Sequence, residues 1–196
     1  LKGEYSKADM VRSILPAGVE CIFVRQPEPL GLGHAVLCAE RVVGADPFAV
    51  LLADDLLVSD DTGMTDNLVK AYKKSGKSQL AVMTVNDSTI SKYGVVELSK
   101  DEQKVVGLVE KPSVNSAPSN LASIGRYVLN PSIFRILRNQ APGSGGEIQL
   151  ADAIHTLAKQ GEVEKVALNG ERFDCGSMEG YVEGFSHVAA RKVKTR

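Results

Sequence analysis

Residues 48–58 constrain this chain more than any other stretch. Phe48-Ala49-Val50-Leu51-Leu52-Ala53 is a continuous apolar run that ends on two adjacent carboxylates, Asp54 and Asp55, and a second apolar run, Leu56-Leu57-Val58, follows. Such a pattern predicts a strand buried on both faces whose end delivers acid into a cleft. Ligands of open α/β sheets collect beyond the carboxyl ends of the strands, which is where Asp54 and Asp55 fall. The same pair also suits an ordinary turn or a helix N-cap, and this stretch alone leaves both readings open.

The elements around it alternate. A polar segment, residues 7–15, reads as a helix. Glu20-Cys21-Ile22-Phe23-Val24 reads as a strand that Pro27 and Pro29 end, because neither can donate to a ladder. Leu30-Gly31-Leu32-Gly33-His34-Ala35 reads as a glycine-rich turn opening a helix that runs to Arg41. Free backbone N–H groups at such a junction suit a base edge or a phosphate. The third glycine of a dinucleotide fingerprint is absent, since Val36 stands three residues past Gly33, and this argues against NAD. An amphipathic helix over 65–74, capped by Thr65 or a neighbouring Asp, and a strand over 79–85 follow. The order β, α, β, α, β predicts a mainly parallel sheet with crossover helices.

Beyond Val85 the pattern changes. Residues 94–98 and 105–110 predict a hairpin, 112–120 a loop, and 120–129 a further strand. Helices are expected from Pro131 to Asn139 and over 148–160, a strand over 163–168, a hairpin-type turn at Asn169-Gly170, and a final helix from Met178 or Glu179 to about Lys194. The expected class is α/β: a Rossmann-like, mixed, mainly parallel sheet with flanking helices. The 196 residues carry a formal net charge of -1, which is enough chain for one well-cored domain, residues 1–196, and gives no electrostatic footprint for nucleic acid or an anionic membrane. The basic end, Arg191-Lys192-Val193-Lys194-Thr195-Arg196, suits a helix terminus. No apolar run has the length of a membrane span. Cys21, Cys38 and Cys175 show neither a disulfide framework nor zinc spacing, which suits a reducing cytoplasm. Cys175 reads as a small buried residue.

Five local signals stand in order: Arg25-Gln26-Pro27-Glu28-Pro29-Leu30-Gly31-Leu32-Gly33-His34-Ala35, Leu52-Ala53-Asp54-Asp55, Val109-Glu110-Lys111-Pro112, Gly146-Glu147-Ile148-Gln149-Leu150-Ala151-Asp152-Ala153-Ile154, and Phe173-Asp174-Cys175-Gly176. As an ordered set, covering residue 20 to about 188, they resemble the bacterial UTP-glucose-1-phosphate uridylyltransferases (UDP-glucose pyrophosphorylases) of the sugar-nucleotidyltransferase family. The resemblance implies transfer of a uridylyl group from UTP to glucose 1-phosphate, giving UDP-glucose and pyrophosphate. Two polyanions must meet, so Mg²⁺ and lysine have to neutralise them.

The resemblance assigns roles by position. Asp54 matches the family's Mg²⁺-binding aspartate, and Asp174 matches the second acidic position of the metal site; Asp55 is the weaker metal candidate. Gln26 and Gly31 match the residues that read the uracil edge: an amide offers donor and acceptor to an imide, and a glycine lets the flat base approach. Gly94 and Glu110 match the sugar pocket, and Lys111 the lysine on the phosphates, so that Asp54 and Lys111 are the catalytic pair. His34 reads as a helix-start residue rather than a base. The family also forms homo-oligomers.

One departure stands out. The family's Gly-x-Gly-Thr-Arg loop, which wraps the triphosphate, has no counterpart here, and Leu1 is not a methionine. The expectation is therefore an N-terminally truncated chain, a C-terminal portion of a larger enzyme, whose full-length form makes UDP-glucose with Mg²⁺ while this portion does not. Rival readings are the same chemistry with another nucleotide or sugar phosphate, a metal-dependent glycosyltransferase, which would show Asp-x-Asp rather than an adjacent pair, and an inactive binding or assembly module.

Overall fold

A computed structural model describes residues 2–59, 62–102 and 104–194. Leu1, and Thr195 and Arg196 of the basic end, lie outside the described residues. A helix, α1 (Lys2–Arg12), is followed by residues 20–24, which form no strand; Phe23 is 92% exposed. β-propensity there was overridden because a strand exists only through a ladder partner, and none of the described strands pairs with it.

From Leu32 onward the elements pack into one body. Helices α2 (Leu32–Cys38) and α3 (Glu40–Val43) lead into β1 (Phe48–Leu51) and β2 (Asp55–Ser59). Then come α4 (Met64–Ser75), β3 (Ser78–Thr84), the hairpin of β4 (Gly94–Leu98) and β5 (Val105–Glu110), and β6 (Leu121–Leu129). The chain continues through α5 (Ser132–Asn139), α6 (Leu150–Lys159), β7 (Val163–Ala167), β8 (Gly170–Asp174) and α7 (Met178–Lys194). Gly63, not Thr65, stands at the N-cap position of α4, and the neighbouring Asp60 and Asp61 lie outside the described residues.

Six strands form a sheet in the order β5-β4-β6-β3-β7, with β1 also on β6. Strand β6 is buried over most of its length and organises the sheet. One of its edges carries β3; the other is shared by β4, at Ala122 and Ser123, and β1, at 126–129. The mixed α/β class with flanking helices is as expected, but the balance of directions is not mainly parallel. Among the described strands only β3 and β7 run parallel. The predicted β-α-β order failed because β1 joins β6 antiparallel instead of lying beside β3, a pairing choice local sequence does not encode.

Two helices cover one face. Phe134 of α5 stacks on Phe48 at 4.9 Å between centroids, and Ile154 and Leu157 of α6 lie fully buried with Leu80, Leu129 and Leu137. Helix α4 seals the other face through Met64 and Leu68 against Ala81, Ile124 and Val128. Burial of this density is the main source of stability.

The central stretch is not one strand buried on both faces. It breaks at Leu52, Ala53 and Asp54 into two short strands in different sheets: β1 alternates half-buried with exposed, and β2 pairs antiparallel with β8 in a separate two-stranded ribbon. The Asn169-Gly170 turn likewise does not make a hairpin, because β7 stays in the large sheet and β8 leaves for β2. The three cysteines are unpaired, and Cys175 is half-buried rather than buried.

Candidate functional site

The break in the central stretch creates the site. Between the β4 and β1 portions of β6, Gly125 lacks a ladder partner on that edge, and buried backbone groups must be paired. Asp55 supplies the partner: its carboxylate accepts the Gly125 N–H, while Leu52 N–H donates to Gly125 O at 2.9 Å. A Cβ on Gly125 would meet Asp55 Oδ2 and Leu52 Cβ, the latter at 2.7 Å, so only glycine fits. Asp55 is consequently 6% exposed.

Asp54, one residue earlier, sits in the turn between β1 and β2, and both aspartates line the same cleft. The Asp54 carbonyl accepts the Cys175 N–H at 2.8 Å, which ties it to the end of β8. The carboxylates of Asp54 and Asp174 converge above Gly176: a Cβ there would lie 3.3 Å from Asp54 Oδ2 and 3.1 Å from Asp174 Oδ1. The missing side chain leaves a small oxygen-lined cradle. Among the described residues no group of three or more His, Cys, Asp or Glu side chains is placed to hold a metal. Two carboxylates with open positions for water and phosphate oxygens fit the coordination habits of Mg²⁺.

A cleft of about 310 Å³ gathers Asp54, Gly94, Glu110, Lys111, Arg172 and Asp174. Five of the residues expected from sequence are therefore brought together. In register across three strands, Glu110 of β5 lies opposite Gly94 of β4, which lies opposite Ser123 of β6. Directly opposed residues share a face. The missing Gly94 side chain thus opens space between Glu110 and Ser123, and a Cβ there would stand 3.2 Å from Glu110 Oε2. Burial pushes the Glu110 carboxyl above its ordinary value, against the opposing pull of Lys111. Lys111 caps the strand with a positive φ of 44°, its N–H donating to Tyr93 O at 3.0 Å. A non-glycine residue held there is strained, a feature common at functional sites. Lys111 Nζ lies 3.9 Å from Glu110 Oε1.

Gln26 and Gly31 stand apart from that lining; Leu32 is the residue of their loop that reaches the cleft. Gln26 Nε2 donates to Gly31 O at 3.1 Å and lies 3.0 Å from His34 Nδ1. Both amide hydrogens are engaged, leaving Oε1 as the free group rather than the donor and acceptor pair expected. Gly31, at φ 100°, is packed against Glu147 and Ile148, which adds a packing reason for glycine.

Sequence reasoning missed Tyr93, Ser123, Tyr127 and Arg172, all on the cleft wall. For Ser123 and Tyr127 a signal existed: with Gly125 they fall on one face by the period of two along β6. Burial pushes the Tyr127 hydroxyl up to about 12, so it stays a neutral donor and acceptor. Arg172 had no local signal. It ion-pairs with Asp55 through Nη2, donates through Nη1 to Tyr93 Oη at 2.9 Å, and stacks 5.1 Å from that ring's centroid. Burial opposes its charge, but the bond to Asp55 prevails and holds its pKa above the ordinary value.

Comparison with known proteins identifies the family. A family profile described as nucleotidyl transferase spans residues 4–191. The UTP-glucose-1-phosphate uridylyltransferase of Pseudomonas aeruginosa is 46% identical over 182 residues, 90% of this chain and 65% of that protein. The Haemophilus ducreyi enzyme of the same name is 42% identical over 197 residues, 95% of this chain and 66% of that protein. A solved UDP-glucose pyrophosphorylase complexed with UDP-glucose superposes with a TM-score of 0.81 at 42% identity, over 87% of this chain and 66% of that one. A UTP-bound enzyme from Acinetobacter baumannii gives 0.81 at 41% identity, over 95% and 66%. The chain spans just under two thirds of the length of these relatives. The resemblance read from the ordered motifs holds, and the chain belongs to the nucleotidyl transferase family.

Proposed function

We propose that the protein transfers the uridylyl group of UTP to glucose 1-phosphate, releasing pyrophosphate, with Mg²⁺ as cofactor. The observation that carries this reading is the convergence in one cleft of the Asp54 and Asp174 carboxylates with Gly94, Glu110 and Lys111, in a chain similar to proteins named for that reaction. An oxygen of the sugar phosphate attacks the α-phosphorus of UTP; a new O–P bond forms as the bond to the β-phosphate bridge breaks, and pyrophosphate leaves with that electron pair. No proton has to move, so the protein needs no general base, in keeping with a His34 engaged by Gln26.

Each side chain then has a task. Asp54 and Asp174 would hold Mg²⁺, which when bound supplies charge neutralisation on the phosphates. Lys111 would contact the phosphates, and its backbone geometry aims it from a fixed strand end. Glu110 would accept hydrogen bonds from glucose hydroxyls, entering through the space left by Gly94. Gln26 would present Oε1 to the imide N–H of uracil, with Gly31 letting the base come close. No helix among the described residues is long and apolar enough to cross a membrane; we place the protein in the cytoplasm as a homo-oligomer, without nucleic acid.

The test is pyrophosphate release by the complete protein from UTP and glucose 1-phosphate, with CTP and dTTP as controls. Asp54→Asn and Lys111→Ala should each lower kcat by about a hundredfold or more, on the scale of losing one preorganised electrostatic group. Equal rates with CTP would defeat the nucleotide assignment, and full activity in Asp54→Asn would defeat the metal assignment.

A further inference from the structure

Asp55 ought to be a metal ligand by position. It follows Asp54 directly, and in the ribbon ladder it lies opposite Asp174. Three carboxylates so close would ordinarily pool on one divalent ion. They do not, because both Asp55 oxygens are spoken for: one accepts the Gly125 N–H, the other pairs with Arg172. Arg126 adds a contact from Nη2 to Asp55 O at 3.2 Å.

Arg172 is itself held rigidly. Its side chain is 11% exposed, its Nη1 is fixed on Tyr93 Oη, its guanidinium lies on the Tyr93 ring, and Nη2 stands 3.9 Å from Asp174 Oδ2. The guanidinium thus occupies the space between Asp55 and Asp174, two strands of one ribbon, while anchored to a residue of the opposite wall. We propose that Arg172 is a positioning residue that keeps Asp55 out of the metal site and so limits that site to two carboxylates. This inference rests on the reading of Asp54 and Asp174 as the metal carboxylates.

The chemistry gives the restriction a purpose. An ion that must bridge phosphate oxygens needs open coordination positions and residual positive charge. A third carboxylate would fill one position and cancel that charge, binding the ion more tightly and making it a poorer partner for phosphate. Arg172 prevents this by giving Asp55 a permanent cation of its own.

The experiment is Mn²⁺ titration of the nucleotide-free protein, with free Mn²⁺ read by electron paramagnetic resonance. Arg172→Met should bind Mn²⁺ about tenfold more tightly than wild type, because the released carboxylate adds ligand charge. The double variant Arg172→Met with Asp55→Asn should return to within about twofold of wild type, as the extra charge is gone. Lost packing alone would leave the double variant as altered as the single one. In turnover, Arg172→Met should lower both kcat and the Mg²⁺ concentration giving half-maximal rate. Unchanged or weaker Mn²⁺ binding by a folded Arg172→Met would overturn the proposal. Should that variant not fold, Tyr93→Phe removes only the hydroxyl anchor and should tighten Mn²⁺ in the same direction by about twofold, on the scale of one lost hydrogen bond; no shift would overturn it equally. Wild-type affinity in Asp54→Asn would instead sink the two-carboxylate reading and the inference with it.

Discussion

The six-stranded sheet and the two-stranded ribbon carry opposite walls of the same cleft, yet they are built by different physics. The sheet is held by apolar burial on both faces, with α5 and α6 on one side and α4 on the other. The ribbon has five residue pairs, one covering helix, α7, and an apolar anchor, Leu57, on the α4 side of the sheet, while its links across the cleft are polar: Asp55 to Gly125, and Arg172 to Tyr93. An isolated hairpin-sized sheet is marginal in water. The sheet therefore supplies rigidity, and the ribbon, which places Asp174 and the residues flanking Asp54, depends on contacts that a single substitution can remove.

The largest effect is expected in the sheet's core. Phe134→Ala removes a ring that is 2% exposed and stacked on Phe48, and should cost about 3–5 kcal/mol, measured by chemical denaturation. A loss under about 1 kcal/mol would show that the sheet is not the rigid half. The ribbon is tested at Gly180 of α7, where a Cβ would run into the Asp174 carbonyl. Alanine normally favours a helix over glycine by about 1 kcal/mol; here the clash should win, displacing α7 and cutting activity more than stability, a split that a melt and a rate measured side by side would reveal.

Smaller effects sharpen the contrast at Glu110 and Lys111. Asparagine tolerates positive φ better than lysine, so Lys111→Asn should raise stability by about 0.5 kcal/mol while lowering kcat. Glu110 has its folded pKa raised above the ordinary 4.5 by burial first of all. The native state then binds the extra proton, so stability falls as pH rises from 4.5 through the folded value, and the penalty is present in full above that value. Glu110→Gln should remove it: the variant melts above wild type at pH 7, and the two converge below the ordinary carboxyl value. Parallel melting curves across the pH series would refute this.

Much of the large sheet was legible in local sequence. The β4–β5 hairpin, β3, β6, α5, α6 and α7 fall close to where alternation, helical spacing and breaking residues put them, because each is decided within a few residues. What failed was partnership. Residues 20–24 have strand composition without a partner among the described strands, residues 48–58 look like one strand but serve two sheets, and Asn169-Gly170 looks like a hairpin turn but separates them. These outcomes depend on ladders between residues tens to more than a hundred positions apart.

The site divides along the same line. The chain's sequence by itself determined that Asp54, Glu110, Lys111 and Asp174 lie in an ordered set of motifs that resembles one enzyme family, since residue identity and order are local properties. Only the tertiary structure decided that Asp55 is engaged by Gly125 and Arg172, and that Gly176 leaves the space where the carboxylates of Asp54 and Asp174 converge. Adjacent aspartates are equivalent in a sequence; unpaired backbone amides and a guanidinium fixed from the opposite wall make them different.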